Sequence, residues 1–202
     1  MVANTQYEVP TLNQIYDMLL DQTQKIHCDD YKPDIIIGIA RGGIVPARIL
    51  SDLLQIPDFD TIQIEYYSGI NKTKKEPILK QCLHTVITNK KILLVDDVSD
   101  CGRSLQLAKN YLQNQGSKQI KIAALYAKPG TITIPDYYEK QTSQWIVFPW
   151  DAKETVRKIL QNYEGKRAAS QEIAKLVKAG LPKELAERFL KDIQKESKCY
   201  TT

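Results

Sequence analysis

Three acidic side chains and a group of small residues stand together in the stretch ILLVDDVSDCGRSL, between residues 92 and 105. Asp96 and Asp97 follow the aliphatic run directly, and Asp100 comes three positions later. The turn then supplies Cys101, Gly102, Arg103 and Ser104. Adjacent carboxylates at the end of a buried strand are suited to bind hydroxyl groups or a hydrated divalent cation.

The turn is predicted to open a helix near Ser104, and the free N–H groups at a helix N-terminus bind phosphate readily. Asp96 and Asp97 would repel a phosphate, so they must serve other groups, such as sugar hydroxyls or Mg²⁺. We therefore predict a ribose phosphate site, with amides on the phosphate and carboxylates on the ribose. The sequence contains no GxxxxGK[ST] motif, which argues against a Walker-type nucleotide triphosphatase.

The elements that position this turn alternate between strand and helix. Apolar spacing predicts a first helix at 11–28 with Thr11 as its N-cap. The aliphatic run at 34–40 is typical of a strand covered on both faces, and a glycine turn after it leads into a helix. Further predictions are strands at 61–67, 82–88, 92–95 and 119–127, a long loop at 69–80 and a helix at 104–115. This order predicts a mostly parallel sheet, which binds ligands at the carboxyl ends of its strands.

Three segments in register resemble the type I phosphoribosyltransferase family. VDDVSDCGRSL at 95–105 resembles its phosphoribosyl-diphosphate signature, and IGIARGGIVPARIL at 37–50 resembles its pyrophosphate loop. AKPG…WIVFPWD at 127–151 resembles the base-binding hood of the purine branch, notably of bacterial xanthine-guanine and archaeal hypoxanthine-guanine enzymes. Cys101 departs from the pattern, because the family usually has Thr there, and a thiol is the poorer hydrogen-bond donor.

The resemblance implies an α/β fold with a Rossmann-like parallel sheet and a small hood at about residues 128–150. We predict that residues 1–151 form the phosphoribosyltransferase core, including the hood. Residues 152–202 lie outside the resemblance and are predicted to form a helical C-terminal extension. Its helices are predicted at 152–163, 168–179 and 182–195.

The resemblance also implies a reaction, in which a purine base displaces pyrophosphate from 5-phosphoribosyl 1-diphosphate with Mg²⁺ and gives a nucleoside 5′-monophosphate. Asp100 would exchange a proton with N7 of the purine, and Arg41 would hold the departing pyrophosphate, so both are predicted to be catalytic. Lys128 would donate to O6 of a 6-oxopurine. Trp145 would stack on the base, and the carbonyl group of Ile146 would accept a hydrogen bond from the ring edge.

The other implied contacts form four groups. The ribose 5-phosphate would be bound by Asp96, Asp97, Asp100, Cys101, Gly102, Arg103 and Ser104. The pyrophosphate would be bound by Ala40, Arg41, Gly42 and Gly43, and in relatives the peptide equivalent to Ala40–Arg41 can be cis. Mg²⁺ would be held by Asp96, Asp97 and Asp151. A flexible loop that begins at Tyr67, Ser68 and Gly69 would close over the reacting centre and exclude water.

Two alternatives to an enzyme for hypoxanthine, guanine or xanthine stay open. The first is an adenine phosphoribosyltransferase on the same scaffold, which would require Lys128 to swing away from the base. The second is a transcription regulator of the same fold, in which the basic tail would contact DNA. Asp100, Arg41 and Lys128 favour catalysis, and the tail lacks a convincing helix-turn-helix, so nucleic acid is not a predicted partner.

Composition and charge agree with a soluble cytoplasmic enzyme. Residues 152–202 carry 12 Lys/Arg and 7 Asp/Glu, a net of +5 in a chain of net +4, but lysines scattered over amphipathic helices are typical of a solvated face. We therefore expect a structural or subunit-contact role for the tail. The four scattered cysteines are typical of reduced thiols. The first twenty residues predict no signal peptide and no apolar run predicts a membrane span. Relatives are commonly dimers or tetramers, so we expect a homodimer or homotetramer.

Overall fold

The computed structural model describes residues 5–67, 76–163 and 166–199. The strands are β1 (Tyr7–Glu8), β2 (Ile35–Ala40), β3 (Phe59–Tyr67), β4 (Glu76–Gln81), β5 (Lys91–Ser99), β6 (Gln119–Ala127), β7 (Lys140–Gln141) and β8 (Trp145–Ile146). The helices are α1 (Leu12–Cys28), α2 (Ile44–Leu53), α3 (Arg103–Asn114), α4 (Ala152–Asn162), α5 (Lys166–Ala179) and α6 (Lys183–Cys199). Packing divides the chain into a sheet unit, residues 15–143, and a helical unit, residues 1–14 with 144–202.

The sheet unit is built on six strands in the order β4-β3-β2-β5-β6-β7. All neighbouring pairs are parallel except β3 with β4. At the centre, β2 lies beside β5, with Ile35 opposite Ile92 and Gly38 opposite Val95. The strand that follows β2 lies on one side of this pair and the strand that follows β5 on the other. The strand order therefore reverses between β2 and β5, which is where open α/β sheets bind ligands.

Helices cover both faces of the central strands, as the continuous aliphatic run of β2 predicts. Ile37 and Ile39 belong to a buried cluster that also contains Leu105 of α3. Gly38 faces the other way, because successive side chains of a strand alternate. A Cβ on Gly38 would lie 3.1 Å from the Cβ of Ala47 in α2. Helix α2 begins directly after the residue 40–43 loop, and α3 begins at Arg103, directly after Gly102. The packing of α2 and α3 on the sheet therefore holds both segments at the carboxyl ends of β2 and β5.

The structure corrects the prediction for residues 76–88, whereas residues 69–75 of the predicted loop lie outside the described residues. Part of the predicted loop forms β4, which pairs antiparallel with β3, and the predicted strand at 82–88 is irregular. Pro77 is tolerated because β4 is an edge strand. The carboxylate of Asp60 accepts hydrogen bonds from the backbone N–H groups of His84 and Thr85. These two bonds hold the irregular segment in place of the strand pairing that was predicted.

Strand β5 is longer than predicted. It continues past residue 95 to Ser99, because Asp96 pairs with Ala124 and Ser99 with Ala127 of β6. Aspartate is depleted in strands, so its presence favoured a turn in the sequence interpretation. As a result Asp96 and Asp97 are held by strand geometry and not by a loop.

The helical unit joins both ends of the described chain. Strand β1 pairs in parallel with β8, and helices α4 to α6 form a buried cluster with Val147 beside them. At the start of α1, Thr11 Oγ1 accepts from the backbone N–H of Gln14 while the Gln14 side chain accepts from the N–H of Thr11, which is a capping box and confirms the predicted N-cap. The predicted division into a phosphoribosyltransferase core, residues 1–151, and a helical extension, residues 152–202, stays a prediction.

None of the helices within the described ranges is both long enough and apolar enough to cross a bilayer.

Candidate functional site

The two predicted loops meet at the carboxyl ends of β2 and β5. The Ala40–Arg41 peptide is cis, as the resemblance allowed, and Gly43 is the N-cap of α2. A Cβ built on Gly42 would overlap the carboxyl group of Asp97. A Cβ built on Gly43 would lie 2.9 Å from the α-carbon of Asp96. Only glycine therefore allows the residue 40–43 loop to lie so close to the acidic pair.

The acidic pair concentrates negative charge at this edge. Asp97 is buried, with 7% of its surface exposed, and its backbone N–H donates to Asp96 Oδ1 at 2.9 Å. Burial and the neighbouring charge of Asp97 raise the pKa of Asp96 well above its ordinary value. A cation or a set of hydroxyl donors would relieve the repulsion between the two carboxylates. This is the electrostatic character that a sugar or metal site requires.

The turn predicted to bind phosphate, residues 100–104 and named the phosphate turn for that prediction, has a left-handed glycine at its centre. Gly102 has a φ of +79° and is the N-cap of α3. A Cβ at this residue would lie 2.5 Å from both Thr131 Oγ1 and the backbone nitrogen of Thr133. Glycine is required here for its dihedral angles and for the close approach of the 131–133 segment.

Hydrogen bonds fasten the 128–133 segment to the phosphate turn. The buried Ser99 hydroxyl lies 2.8 Å from Thr131 Oγ1 and donates to the carbonyl oxygen of Thr133 at 2.7 Å. The backbone N–H of Lys128 donates to the Ser99 carbonyl oxygen, and that of Ile132 donates to the Cys101 carbonyl oxygen. Lys128 is thus held beside the turn by its own backbone, and its side chain is half-buried.

The side chains of the phosphate turn face outward. Asp100, Cys101 and Arg103 are exposed, while Ser104 is half-buried in the first turn of α3. Arg41 is exposed at the end of β2. The charged groups predicted to contact substrate are therefore accessible at the edge where β2 and β5 end.

Tyr66 contacts the predicted phosphate turn, and the sequence interpretation did not include it among the candidate site residues. Its hydroxyl lies 3.0 Å from Cys101 Sγ and accepts a hydrogen bond from Ser104 Oγ at 3.2 Å. Burial and the contact with Cys101 raise the pKa of Tyr66, so its hydroxyl stays protonated at neutral pH. A usable signal was present, because Tyr66 is near the carboxyl end of β3, which is the neighbour of β2.

The structure describes only the first residue of the predicted flexible loop. Tyr67 ends β3, and Ser68 and Gly69 lie outside the described residues.

The other predicted base and metal residues belong to the helical unit. Trp145 and Ile146 form β8, and Trp145 is 56% exposed, so it is not a core residue. Asp151 is the N-cap of α4. Phe148 and Trp150 stack at a centroid distance of 4.9 Å.

Two adjacent carboxylates are the largest donor set that the sheet unit offers a cation at this edge. Among the residues that the structure covers, no group of three or more His, Cys, Asp or Glu side chains could enclose a metal ion. Mg²⁺ is usually bound by one or two carboxylates and completed by substrate phosphates and water. Asp96 and Asp97 fit that mode of binding and do not fit a metal site made by protein alone.

Comparisons with known proteins agree on one family. A model described as the phosphoribosyl transferase domain matches residues 11–157. The chain is 35% identical over 118 residues to the xanthine-guanine phosphoribosyltransferase of Cereibacter sphaeroides, covering 57% of this chain and 68% of that one. It is 37% identical over 120 residues to the corresponding protein of Desulfotalea psychrophila, covering 58% and 70%.

Among solved structures, the purine phosphoribosyltransferase of Pyrococcus horikoshii superposes with a TM-score of 0.66 at 37% sequence identity. The match covers 72% of this chain and 94% of the Pyrococcus chain. The expected α/β fold, with its mostly parallel central sheet, is thereby confirmed.

Proposed function

Because this chain belongs to the phosphoribosyl transferase family, we propose that it transfers the phosphoribosyl group of 5-phosphoribosyl 1-diphosphate to hypoxanthine, guanine or xanthine. The contact between Gly42 and Asp97 carries the proposal. It brings a loop suited to pyrophosphate against a pair of acids suited to ribose, at the point where the strand order of the sheet reverses.

Each part of the substrate has a matching group on the sheet unit. The amides of residues 101–104 and the Ser104 hydroxyl suit the 5′-phosphate, because a helix N-terminus attracts anions. The Tyr66 hydroxyl, which contacts Cys101 and Ser104, adds a donor where a thiol replaces the usual threonine. Asp96 and Asp97 accept hydrogen bonds from the ribose hydroxyls. Arg41 and the amides of Gly42 and Gly43 bind the pyrophosphate.

In the reaction, a purine ring nitrogen forms a bond to the anomeric carbon while the bond from that carbon to the pyrophosphate oxygen breaks. The purine loses one N–H proton, and the leaving pyrophosphate takes both bonding electrons. Asp100 is exposed at the turn and accepts the purine proton. Arg41 faces the charge that develops on pyrophosphate, so positioning and electrostatic stabilisation supply most of the catalysis.

Mg²⁺ fits the reaction as a cofactor, held by Asp96 and Asp97 on the sheet unit, with Asp151 assigned to it only by resemblance. When bound, it neutralises pyrophosphate charge and makes that group a better leaving group.

The choice of base depends on Lys128. Its ammonium group has donors only, so it favours the O6 carbonyl of hypoxanthine, guanine or xanthine over the amine of adenine. The half-buried side chain begins from a backbone fastened to Ser99, which supports a defined position. Trp145 is exposed enough to stack on a base, and the Ile146 carbonyl is the proposed acceptor.

We further propose that the protein is cytoplasmic, in keeping with the free thiols of Cys28, Cys82 and Cys101. We also propose that it is a homodimer or homotetramer, as its relatives commonly are.

The test is a direct assay with purified protein, Mg²⁺, 5-phosphoribosyl 1-diphosphate and one base at a time. We expect nucleoside 5′-monophosphate and pyrophosphate in equal amounts from at least one of guanine, xanthine and hypoxanthine. Product with adenine alone would replace the proposed base class. Absence of product with all four bases, from protein that is folded by circular dichroism, would contradict the proposal.

A further inference from the structure

The strand that carries Trp145 is too short to be stable alone. Strands β1 and β8 have two residues each, and an isolated two-stranded pair is marginal in water. Two backbone hydrogen bonds join them directly, from the N–H of Trp145 to the Gln6 carbonyl oxygen and from the N–H of Val147 to the Glu8 carbonyl oxygen, both at 2.8 Å. The orientation of Trp145 therefore depends on what holds β1.

A partly buried polar contact holds β1 to α5. The Tyr7 hydroxyl donates to Glu172 Oε1 at 2.7 Å, and Lys175 Nζ lies 2.9 Å from Glu172 Oε2. Glu172 is 3% exposed, so its charge would be costly without these partners. Burial alone would raise the pKa of Glu172, but the hydrogen bonds from Lys175, Tyr7 and Tyr163 outweigh it and lower the pKa. The carboxylate is therefore charged, and Tyr7 has a strong acceptor.

Apolar packing joins the same elements. Val147 follows β8 directly and is fully buried in the cluster formed by α4, α5 and α6. Tyr7 and Val9 pack against that cluster from the β1 side. Apolar contacts of this kind restrain a strand loosely, because they are not directional. The hydrogen bond between Tyr7 and Glu172 is directional, so it restrains the orientation of β1.

We propose that Glu172 positions the base-binding strand through Tyr7, so that the helical extension serves the purine site. The chain of contacts is Glu172 to Tyr7, then β1 to β8, then Trp145 and Ile146, and it lies entirely within the helical unit. Glu172 is outside the residues that match the family model, so this support belongs to the extension of this chain. The role assigned to Trp145 rests on the proposed function, whereas its restraint by Tyr7 does not.

Three variants separate positioning from general stability. Tyr7→Phe removes the donor and keeps the ring that packs on the apolar cluster. Glu172→Gln keeps an acceptor for Tyr7 and removes the charge that faces Lys175. Glu196→Gln is the matched control, because Glu196 joins α6 to Lys153 and Arg157 of α4 and makes none of the contacts to β1 described above.

The first measurement needs no substrate. The chain has two tryptophans, so all variants are made in a Trp150→Phe background, which leaves Trp145 as the only one. We expect Tyr7→Phe to lower the steady-state fluorescence anisotropy of Trp145. Glu172→Gln should lower it by a smaller amount, because a neutral amide is a weaker acceptor for Tyr7 than a carboxylate, and Glu196→Gln should leave it unchanged. Unchanged anisotropy in Tyr7→Phe, or an equal decrease in Glu196→Gln, would overturn the inference whether or not the protein is an active transferase.

The second measurement uses turnover. Tyr7→Phe should raise KM for guanine by about three- to tenfold, with KM for 5-phosphoribosyl 1-diphosphate within about twofold of wild type, as expected for the loss of one buried hydrogen bond. Glu172→Gln should raise KM for guanine in the same direction but by less than Tyr7→Phe, because the amide still accepts from Tyr7 more weakly, whereas Glu196→Gln should leave that KM near the wild-type value. An equal rise in both KM values, or a change in unfolding temperature alone, would overturn the positioning role. A wild-type protein inactive with every base would instead contradict the proposed function.

Discussion

Gly42 lies against the carboxyl group of Asp97 with no room for a methyl group between them. Gly42 lies in the loop after β2 and Asp97 lies within β5. They are 55 positions apart in the sequence and meet because β2 and β5 are neighbours in the sheet. The proposed pyrophosphate loop and the proposed ribose acids therefore form one continuous surface. A side chain added at Gly42 must therefore displace either the carboxyl group of Asp97 or the residue 40–43 loop.

Gly42→Ala should strongly reduce the activity of the protein with little loss of fold. The added methyl group overlaps Asp97, so the loop or the acid must move, and a misplacement of about 1 Å can cost about 100-fold in rate. We expect kcat/KM for 5-phosphoribosyl 1-diphosphate to fall by roughly that factor. Gly116→Ala is the control, because Gly116 has a φ of +81° at the other end of α3. It should lower the free energy of unfolding by about 1 kcal/mol and keep kcat.

Asp100→Asn should reduce turnover while substrate still binds. The amide cannot accept the purine proton, and general base catalysis contributes about 10²- to 10⁴-fold. Binding of 5-phosphoribosyl 1-diphosphate, measured by calorimetry, should stay near the wild-type value because the turn amides are intact. Asp52→Asn, on the exposed surface of α2, is the control for loss of one negative charge. Wild-type turnover in Asp100→Asn would remove this residue from the mechanism.

Tyr66→Phe should weaken phosphate binding, and Cys101→Thr should restore it. A neutral hydrogen bond contributes about 0.5–1.5 kcal/mol, so KM for 5-phosphoribosyl 1-diphosphate should rise roughly two- to tenfold with kcat little changed. Threonine at residue 101 supplies a stronger donor beside Ser104, so the double variant should recover most of the loss. Tyr111→Phe, whose hydroxyl contacts the backbone of Leu83 instead, should leave KM unchanged. Failure of the double variant to recover would contradict the assigned role of Tyr66.

Glu172→Gln should change stability most at neutral pH. The pKa of Glu172 is lowered in the folded state, so the group stabilises the fold at pH values above the ordinary glutamate pKa of about 4.3. That contribution is lost as pH falls through the lowered folded pKa. The difference in free energy of unfolding between wild type and Glu172→Gln, from urea titrations, should therefore shrink on acidification. The control is Glu184→Gln at an exposed position of α6, whose difference should be small throughout. A pH-independent difference for Glu172→Gln would contradict the prediction.

Sequence patterns predicted β2, β6 and the helices well, because their apolar periodicity reflects the core directly, but they missed the second half of β5. Strand β6 has the predicted bounds, and the helix after the phosphate turn differs by one residue at each end. The pattern failed at the sheet edge. Leu79 of β4 packs against the core, but Pro77 and the lysines around it are typical of a loop. Ile87 is fully buried although it lies in an irregular segment. The apolar residues of that segment therefore have the same sequence pattern as a strand.

Local motifs indicated the two segments of the candidate site, since both carry glycines beside charged residues, and the structure brings them together; their roles stay predictions. Contacts between residues that are far apart in the sequence have no local motif that would reveal them. Tyr66 is one tyrosine among 11 in the chain, and only the pairing of β3 with β2 brings it to the phosphate turn. The same holds for Tyr7 and Glu172, which are 165 positions apart. A buried glutamate on an amphipathic helix has the same sequence appearance as one on its solvated face.

The helical unit is discontinuous along the chain, and this affects how the molecule can be made. During translation, residues 15–143 leave the ribosome as one uninterrupted piece, and domains generally fold as they are synthesised. Strand β1 emerges before all of them, yet β8 and the helix that carries Glu172 emerge after them. The nascent chain can thus fold the sheet unit before β8 has been synthesised and can pair with β1.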